Sequence, residues 1–147
     1  MTQSVREQLI QSVAQILAPV VELQGAQVLR SPTSGITREQ SPAILIFPES
    51  DAVSPRINDR VERQLVLRMV AIAREKDGIA PETIADALLV ASHAAVFANA
   101  SLNGLCLGVK ELDCEWEVED ADALAASIPA RYQFTYRTFV HDISIPG

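Results

Sequence analysis

The sequence predicts an α+β domain, an antiparallel β-sheet with two α-helices packed on one face. Three observations carry that reading. Residues 5–20 and 81–100 repeat apolar side chains at helical spacing. Residues 61–74 and 130–141 alternate as strands do. The segments run helix, strands, helix and then hairpin, without the strict strand–helix alternation that builds a parallel sheet.

The first helix begins at a capping box, Ser4-Val5-Arg6-Glu7, in which the serine and the glutamate can each satisfy an orphan N–H. Val5, Leu9, Val13, Ile16, Leu17 and Val20 form its apolar face, with Arg6, Glu7, Gln11 and Gln15 opposite. Pro19 is expected to end or kink it, and Gly25 closes the connection. Residues 27–30 read as a short strand. Residues 43–47 form another, bounded by Pro42 and Pro48, which cannot donate to a ladder. The polar stretches 31–41 and 49–60 lack the apolar anchors that would offset the entropy of ordering. Both are expected to be mobile loops in the free subunit, and Arg38, Glu39, Arg56, Asp59 and Arg60 are their candidate partner-binding residues.

Residues 61–74 form the longest strand. Leu65, Leu67, Met69, Ala71 and Ala73 line one face, while Val66, Val70 and Ile72 share the other with Glu62, Gln64, Arg68 and Arg74. A strand apolar on both faces is either central or covered by another chain. Lys76-Asp77-Gly78 then turns into the central helix. Pro81 suits its first position, and Glu82 and Asp86 put negative charge near the positive end of its dipole. Asn99 and Gly104 supply the stop.

No formal charge falls between Asp86 and Lys110. Ile84, Leu88, Ala91, Ala95 and Ala98 form one stripe, and Leu89, Val96 and Phe97 lie off it. The run is long enough to span a membrane. However, Ser92, His93, Asn99, Ser101, Asn103 and Gly104 interrupt it, and alanine supplies most of its apolar count. A helix packed between its own sheet and a neighbouring subunit fits better. The expected contact is the back of strand 61–74, the flank of this helix, or both, so Val66, Arg68, Val70, Ile72, Leu89, Val96 and Phe97 are candidate oligomer-interface residues.

Residues 107–118 and 130–141 read as a long hairpin around an exposed acidic connection, 119–127. Leu112, Cys114, Trp116 and Val118 alternate with Glu111, Asp113, Glu115 and Glu117, a candidate acidic surface. Tyr132, Phe134, Tyr136 and Val140 alternate with Arg131, Gln133, Thr135 and Arg137. Five of the seven aromatic residues lie between 116 and 139, so this hairpin is expected to fill the core. Pairing Trp116 with Tyr132 buries both, and it sets Glu117 across from Arg131 and Glu111 across from Arg137.

One domain of 147 residues is long enough for a substantial core. Its net charge of −7 argues against specific nucleic-acid binding, which needs clustered Lys and Arg. Cys106 and Cys114, with no CxxC, read as reduced thiols of a cytosolic protein. The first residues show no basic segment followed by an apolar run, so no signal peptide is expected. Acid–base catalysis needs two carboxylates in different environments, whereas the 111–117 ladder offers four alike. A Ca²⁺ loop needs a turn glycine that is missing here. His93 and His141 stand apart from any ligand spacing, and neither a Gly-x-Ser-x-Gly elbow nor a phosphate loop occurs. No catalytic, metal or cofactor site is assigned.

The order of elements resembles the tail terminator, or tail completion, proteins of long-tailed phages and prophages (the minor tail protein U-like family). Val5-Arg-Glu-Gln-Leu-Ile10, Arg30-Ser-Pro32, Pro42-Ala-Ile-Leu-Ile46 and Arg63-Gln-Leu-Val-Leu-Arg68 carry the likeness. So do the Ala-rich helix, Cys114-Glu-Trp-Glu117 and Tyr132-Gln-Phe-Thr-Tyr-Arg137. The resemblance spans nearly the whole chain and consists of pattern and order. It implies a non-enzymatic virion protein assembled in the bacterial cytoplasm. Such a protein forms a ring, usually hexameric, that caps the tail tube, ends its polymerisation and offers a surface to head-completion proteins. Another head–tail connector or neck protein, or a small metal-dependent enzyme using the acidic strand, are the alternatives.

Overall fold

A computed structural model describes residues 1–32, 38–55, 58–116 and 125–147. In chain order these form α1 (Val5–Glu22), β1 (Gln27–Arg30), a 3-10 turn (Arg38–Gln40), β2 (Ala43–Val53), β3 (Arg60–Arg74), α2 (Pro81–Ala98), β4 (Gly108–Leu112) and β5 (Ala125–Phe139). The fold is α+β. The five strands make one sheet in the order β1-β2-β3-β5-β4. Every neighbouring pair is antiparallel except β1–β2, which is parallel. That exception departs from the purely antiparallel expectation. Twelve residues, 31–42, separate the two strands, the length that a parallel connection needs.

β3 is the spine, paired along its length with β2 on one side and β5 on the other. Its odd-numbered side chains Leu65, Leu67, Met69, Ala71 and Ala73 are buried, as the alternation predicts. They join one core with Val5, Leu9, Val13 and Leu17 of α1, Leu88 and Val96 of α2, and Tyr132, Phe134 and Tyr136 of β5. Both helices therefore share a single core with the same face of the central strand. The even face carries a smaller apolar cluster. Ala43, Leu45 and Val70 are buried there, with Leu29, Phe47 and Ile72 packed against them.

The boundaries of α1, β2, β4 and β5 differ from the sequence reading. β5 begins at Ala125, so residues 125–127 of the expected exposed connection are strand, paired with residues 72–74 of β3. α1 runs through Pro19 to Glu22 and stops at Gly25, whose φ of +71° is a conformation that glycine adopts without strain. One missing N–H near the end of a well-buried helix is outweighed by the packing of Leu17 and Val21. β2 continues through Pro48 to Val53, with a register shift between Pro48 and Ser50. β1 ends opposite Ile46, so beyond that point β2 has only β3 as a neighbour, and a proline is tolerated on such an open edge. Residues 49–53 are accordingly strand rather than loop.

The last hairpin is shorter and shifted in register. β4 ends at Leu112, and Glu111 rather than Trp116 lies opposite Tyr132. The pairing places Val109 across from Phe134 on the core side and Leu112 across from Arg131 on the other. Burial of Val109 against the core sets this parity. Trp116 falls beyond the strand and is 69% exposed. Its expected place against Tyr132 is taken by α2, because the His93 ring lies tilted and the Phe97 ring edge-on against the Tyr132 ring. Glu111 therefore does not face Arg137, which instead sits across from Glu62 at 3.5 Å. Glu117, and so its expected pairing with Arg131, lies outside the described residues.

Candidate functional site

α2 is built as its sequence dictates. Ala80 precedes the helix in extended backbone, Pro81 opens it, Glu82 lies in the first turn and Asn99 caps the end. Its inward stripe is Ala85, Leu88, Ser92, Ala95 and Val96, rotated from the predicted one. Alanine on nearly every side leaves little amphipathicity to fix the roll, and the larger Leu88 and Val96 settle it by entering the core. The rotation turns Val90 outward, 64% exposed, and leaves Phe97 39% exposed.

Between the outer flank of α2 and the β4–β5 edge runs an open groove of about 750 Å³. Asp86, Leu89, Val90 and His93 form one wall, Glu111 to Cys114 the other, and Pro129, Ala130 and Tyr132 the floor. His93 Nδ1 lies 2.8 Å from the Tyr132 hydroxyl, and its ring centroid is 4.7 Å from that of Phe97. Burial pushes the Tyr132 hydroxyl up to about 12, with the nearby charges of Glu111 and Cys114 adding to the shift. The hydroxyl is thus a neutral group at pH 7 within hydrogen-bond reach of His93 Nδ1. Arg68 Nη1 is 3.7 Å from Cys114 Sγ. Cys106 is buried away from the groove and donates to the carbonyls of Gly108 (3.0 Å) and Thr135 (3.4 Å). Desolvation pushes its thiol above the usual range.

The acidic residues do not form a common strand face. Glu111 lies in β4, whereas Asp113 and Glu115 follow it as exposed non-strand residues. Among the described residues, no three His, Cys, Asp or Glu side chains come together to hold a metal ion. Also among them, no helix is long and apolar enough to cross a membrane.

The candidate interface residues divide into three groups. Val66 and Val70 are buried at 7% and 8% exposure, and Val96 lies in the core. Arg68, Ile72 and Leu89 are half-buried, and Arg68 approaches Glu49 at 3.9 Å. Only Phe97 is exposed. Val96 therefore lies too deep to touch a neighbour directly.

Of the candidate loop residues, Arg56 lies outside the described residues, and Arg38 opens the 3-10 turn. Glu39 is exposed, and its carbonyl accepts from the Gln27 side chain. The Asp59 carbonyl accepts from Val140 N at 2.7 Å, while Arg60 opens β3 with its guanidinium 5.0 Å above the Phe139 ring.

Sequence reasoning missed the polar ties that hold residues 49–53. Glu49 accepts from Arg131 Nε at 2.9 Å, and Asp51 accepts from the Tyr136 hydroxyl at 2.5 Å. Arg6 lies 3.5 Å from the same Asp51 oxygen. These partners are 45 to 85 residues distant in sequence. The available signal was the run Glu49-Ser-Asp51 itself, carboxylates close to an apolar strand.

Among the described residues, most of the exposed large apolar side chains fall in two regions, with Met1, Leu23 and Ile79 exposed apart from them. Val90, Phe97, Leu107 and Trp116 lie on α2 and around β4. Val53 and Val140 flank the β2–β3 turn, and Ile143 and Ile145 follow β5, where the Ile143 carbonyl accepts from Val5 N. Set beside known proteins, the chain matches no family model and no curated protein.

Proposed function

We propose that this chain is a structural subunit that self-associates head to tail into a ring, capping a phage tail tube and presenting its other face to head-completion proteins. One observation carries the reading: exposed apolar side chains occupy two different regions of one subunit. A heterologous contact needs two unlike patches, and when its rotation closes it makes a ring. A two-fold dimer would need only one self-complementary patch. The resemblance in element order supplies the tail-terminator role and the expectation of six subunits.

The test is light scattering of the concentrated protein, alone and with purified tail tube. Wild type is expected to form a closed oligomer on or beside the tube. Phe97→Asp and Val53→Asp, each in a different region, should each abolish it while remaining folded by circular dichroism. Val53 is 58% exposed, whereas Phe97 also packs on the His93 and Tyr132 rings. Leu107→Asp, at a position 56% exposed in the same region as Phe97, is therefore the control for that variant and should abolish the oligomer as well. Oligomers that persist in both variants overturn the head-to-tail contact. A strict monomer on every tube preparation overturns the ring.

A further inference from the structure

We infer that the groove between α2 and the β4–β5 edge is a docking site for a polypeptide segment of another protein that carries Lys or Arg beside aliphatic side chains. The walls fit such a segment on two counts. Leu89, half-buried, and Val90, mostly exposed, offer an aliphatic ridge that no other described element covers, above a floor of Pro129 and Ala130. Exposed apolar surface of this kind, rimmed by polar groups, marks interaction sites. The rim is acidic: Asp86 stands on one side and Glu111 and Asp113 on the other. Among the described residues no Lys or Arg side chain lines the groove, and His93 is engaged with Tyr132. Arg68 and Arg131 reach its wall, at Cys114 Sγ (3.7 Å) and the Asp113 carbonyl (2.9 Å), but form no ion pair with the three carboxylates. The cleft has a volume of about 750 Å³, room for several side chains of a docked segment.

Charge selects the partner. A second copy of this chain carries a net charge of −7 and is disfavoured at this negative rim, so the ring contact proposed above engages Phe97, Leu107 and Trp116, which lie outside the groove. A cationic segment is steered in, and its aliphatic side chains then reach the Leu89–Val90 ridge. This inference stands on the groove alone and does not require the ring.

The experiment is isothermal titration of the full chain with a short Lys/Leu peptide and with its Glu/Leu counterpart, at low and at raised salt. Saturable binding of the Lys/Leu peptide, weakened by salt, is the expected result, with no binding of the Glu/Leu peptide. The variant Asp86→Asn/Glu111→Gln/Asp113→Asn should weaken it roughly tenfold, since exposed charge pairs are individually modest. Val90→Arg, at an exposed position, should abolish it. A control that neutralises three exposed carboxylates elsewhere, Glu22→Gln/Glu75→Gln/Asp77→Asn, should change the affinity by less than about twofold at Debye-screened salt. Equal loss in the control and groove variants overturns the site, as does equal binding of both peptides or absence of saturable binding. Should the groove variant instead change the oligomeric state of the chain without peptide, the occupant is a second copy and the inference fails.

Discussion

Replacing Tyr136 with Phe tests the polar ties that hold the β2 edge. Tyr136 is 1% exposed, and its hydroxyl donates to Asp51 Oδ2 at 2.5 Å. The Asp51 side chain is only 11% exposed, and its other oxygen, Oδ1, is buried without a hydrogen-bond partner among the described residues. Arg6 approaches at 3.5 Å from a side chain that is itself half-exposed, so it cannot replace the lost bond fully. Tyr136→Phe keeps the ring and its packing but leaves a buried carboxylate short of one donor. Hydrogen bonds to charged groups contribute about 1.5–3 kcal/mol, and that is the expected loss. For a chain of this length it corresponds to a fall in Tm of roughly 3–12 °C. Urea denaturation should show the same loss as a lower midpoint at unchanged slope. Asp51→Ala removes the acceptor as well. The double variant should therefore cost less than the sum of the singles by about 1 kcal/mol or more. Burial, and then the bond to Asp51, raise the Tyr136 hydroxyl above its usual range. The stability this contributes is present below pH 10 and lost as pH rises beyond it, and the Phe variant should lack that alkaline loss. A Tyr136→Phe variant within about 0.5 kcal/mol of wild type would refute the tie.

Ser92 faces the core at 0% exposure with no partner for its Oγ among the described residues, so Ser92→Ala should stabilise the protein by about 1 kcal/mol in thermal or urea denaturation. Destabilisation would mean that the hydroxyl has a partner. Tyr132, raised to about 12, should add its own loss of stability as pH climbs from about 10 to about 12, of up to about 3 kcal/mol, and Tyr132→Phe should remove that part of the slope in alkaline denaturation followed by circular dichroism.

What the sequence made legible follows from how local each signal is. α2 begins at Pro81 as expected because capping and dipole rules act within one turn. The inward face of β3 was legible because Leu65, Leu67, Met69, Ala71 and Ala73 recur at every second position and enter one core. The roll of α2 was not legible, since alanine gives its faces nearly equal hydrophobicity. The register of β4 against β5 was not legible either. In sequence the first strand reads with Leu112, Cys114 and Trp116 turned inward, and only the burial of Val109 against the core selects the opposite parity. The groove was hidden for the same reason. Asp86, His93, Glu111 and Tyr132 come together only once the roll of α2 and the register of β4 are both set. The polar ties at Glu49 and Asp51 rest on partners far away in sequence, which no local pattern reports.

The strength of any self-association also changes once the subunit is seen whole. Counting Val66, Val70, Ile72, Leu89, Val96 and Phe97 as unsatisfied made the drive to associate look large. Within one subunit Val66, Val70 and Val96 are already buried, and Ile72 and Leu89 half-buried, so most of that apolar area is removed from water without a neighbour. Burying a large apolar side chain contributes about 1.5–3 kcal/mol. The exposed remainder is therefore a few side chains in each region, set against an association cost of several kcal/mol for lost translation and rotation. A contact of that size is marginal between two free subunits. Repeating binding sites on the end of a tube would hold subunits at high effective concentration, and closing a ring gives every subunit two contacts instead of one. The ring reading thus predicts a chain that is mostly monomeric in dilute solution and oligomeric on the tube. Sedimentation of the subunit with and without tube ends separates this from constitutive assembly, because a stable oligomer at micromolar concentration without tube would require far more buried apolar area than these side chains supply.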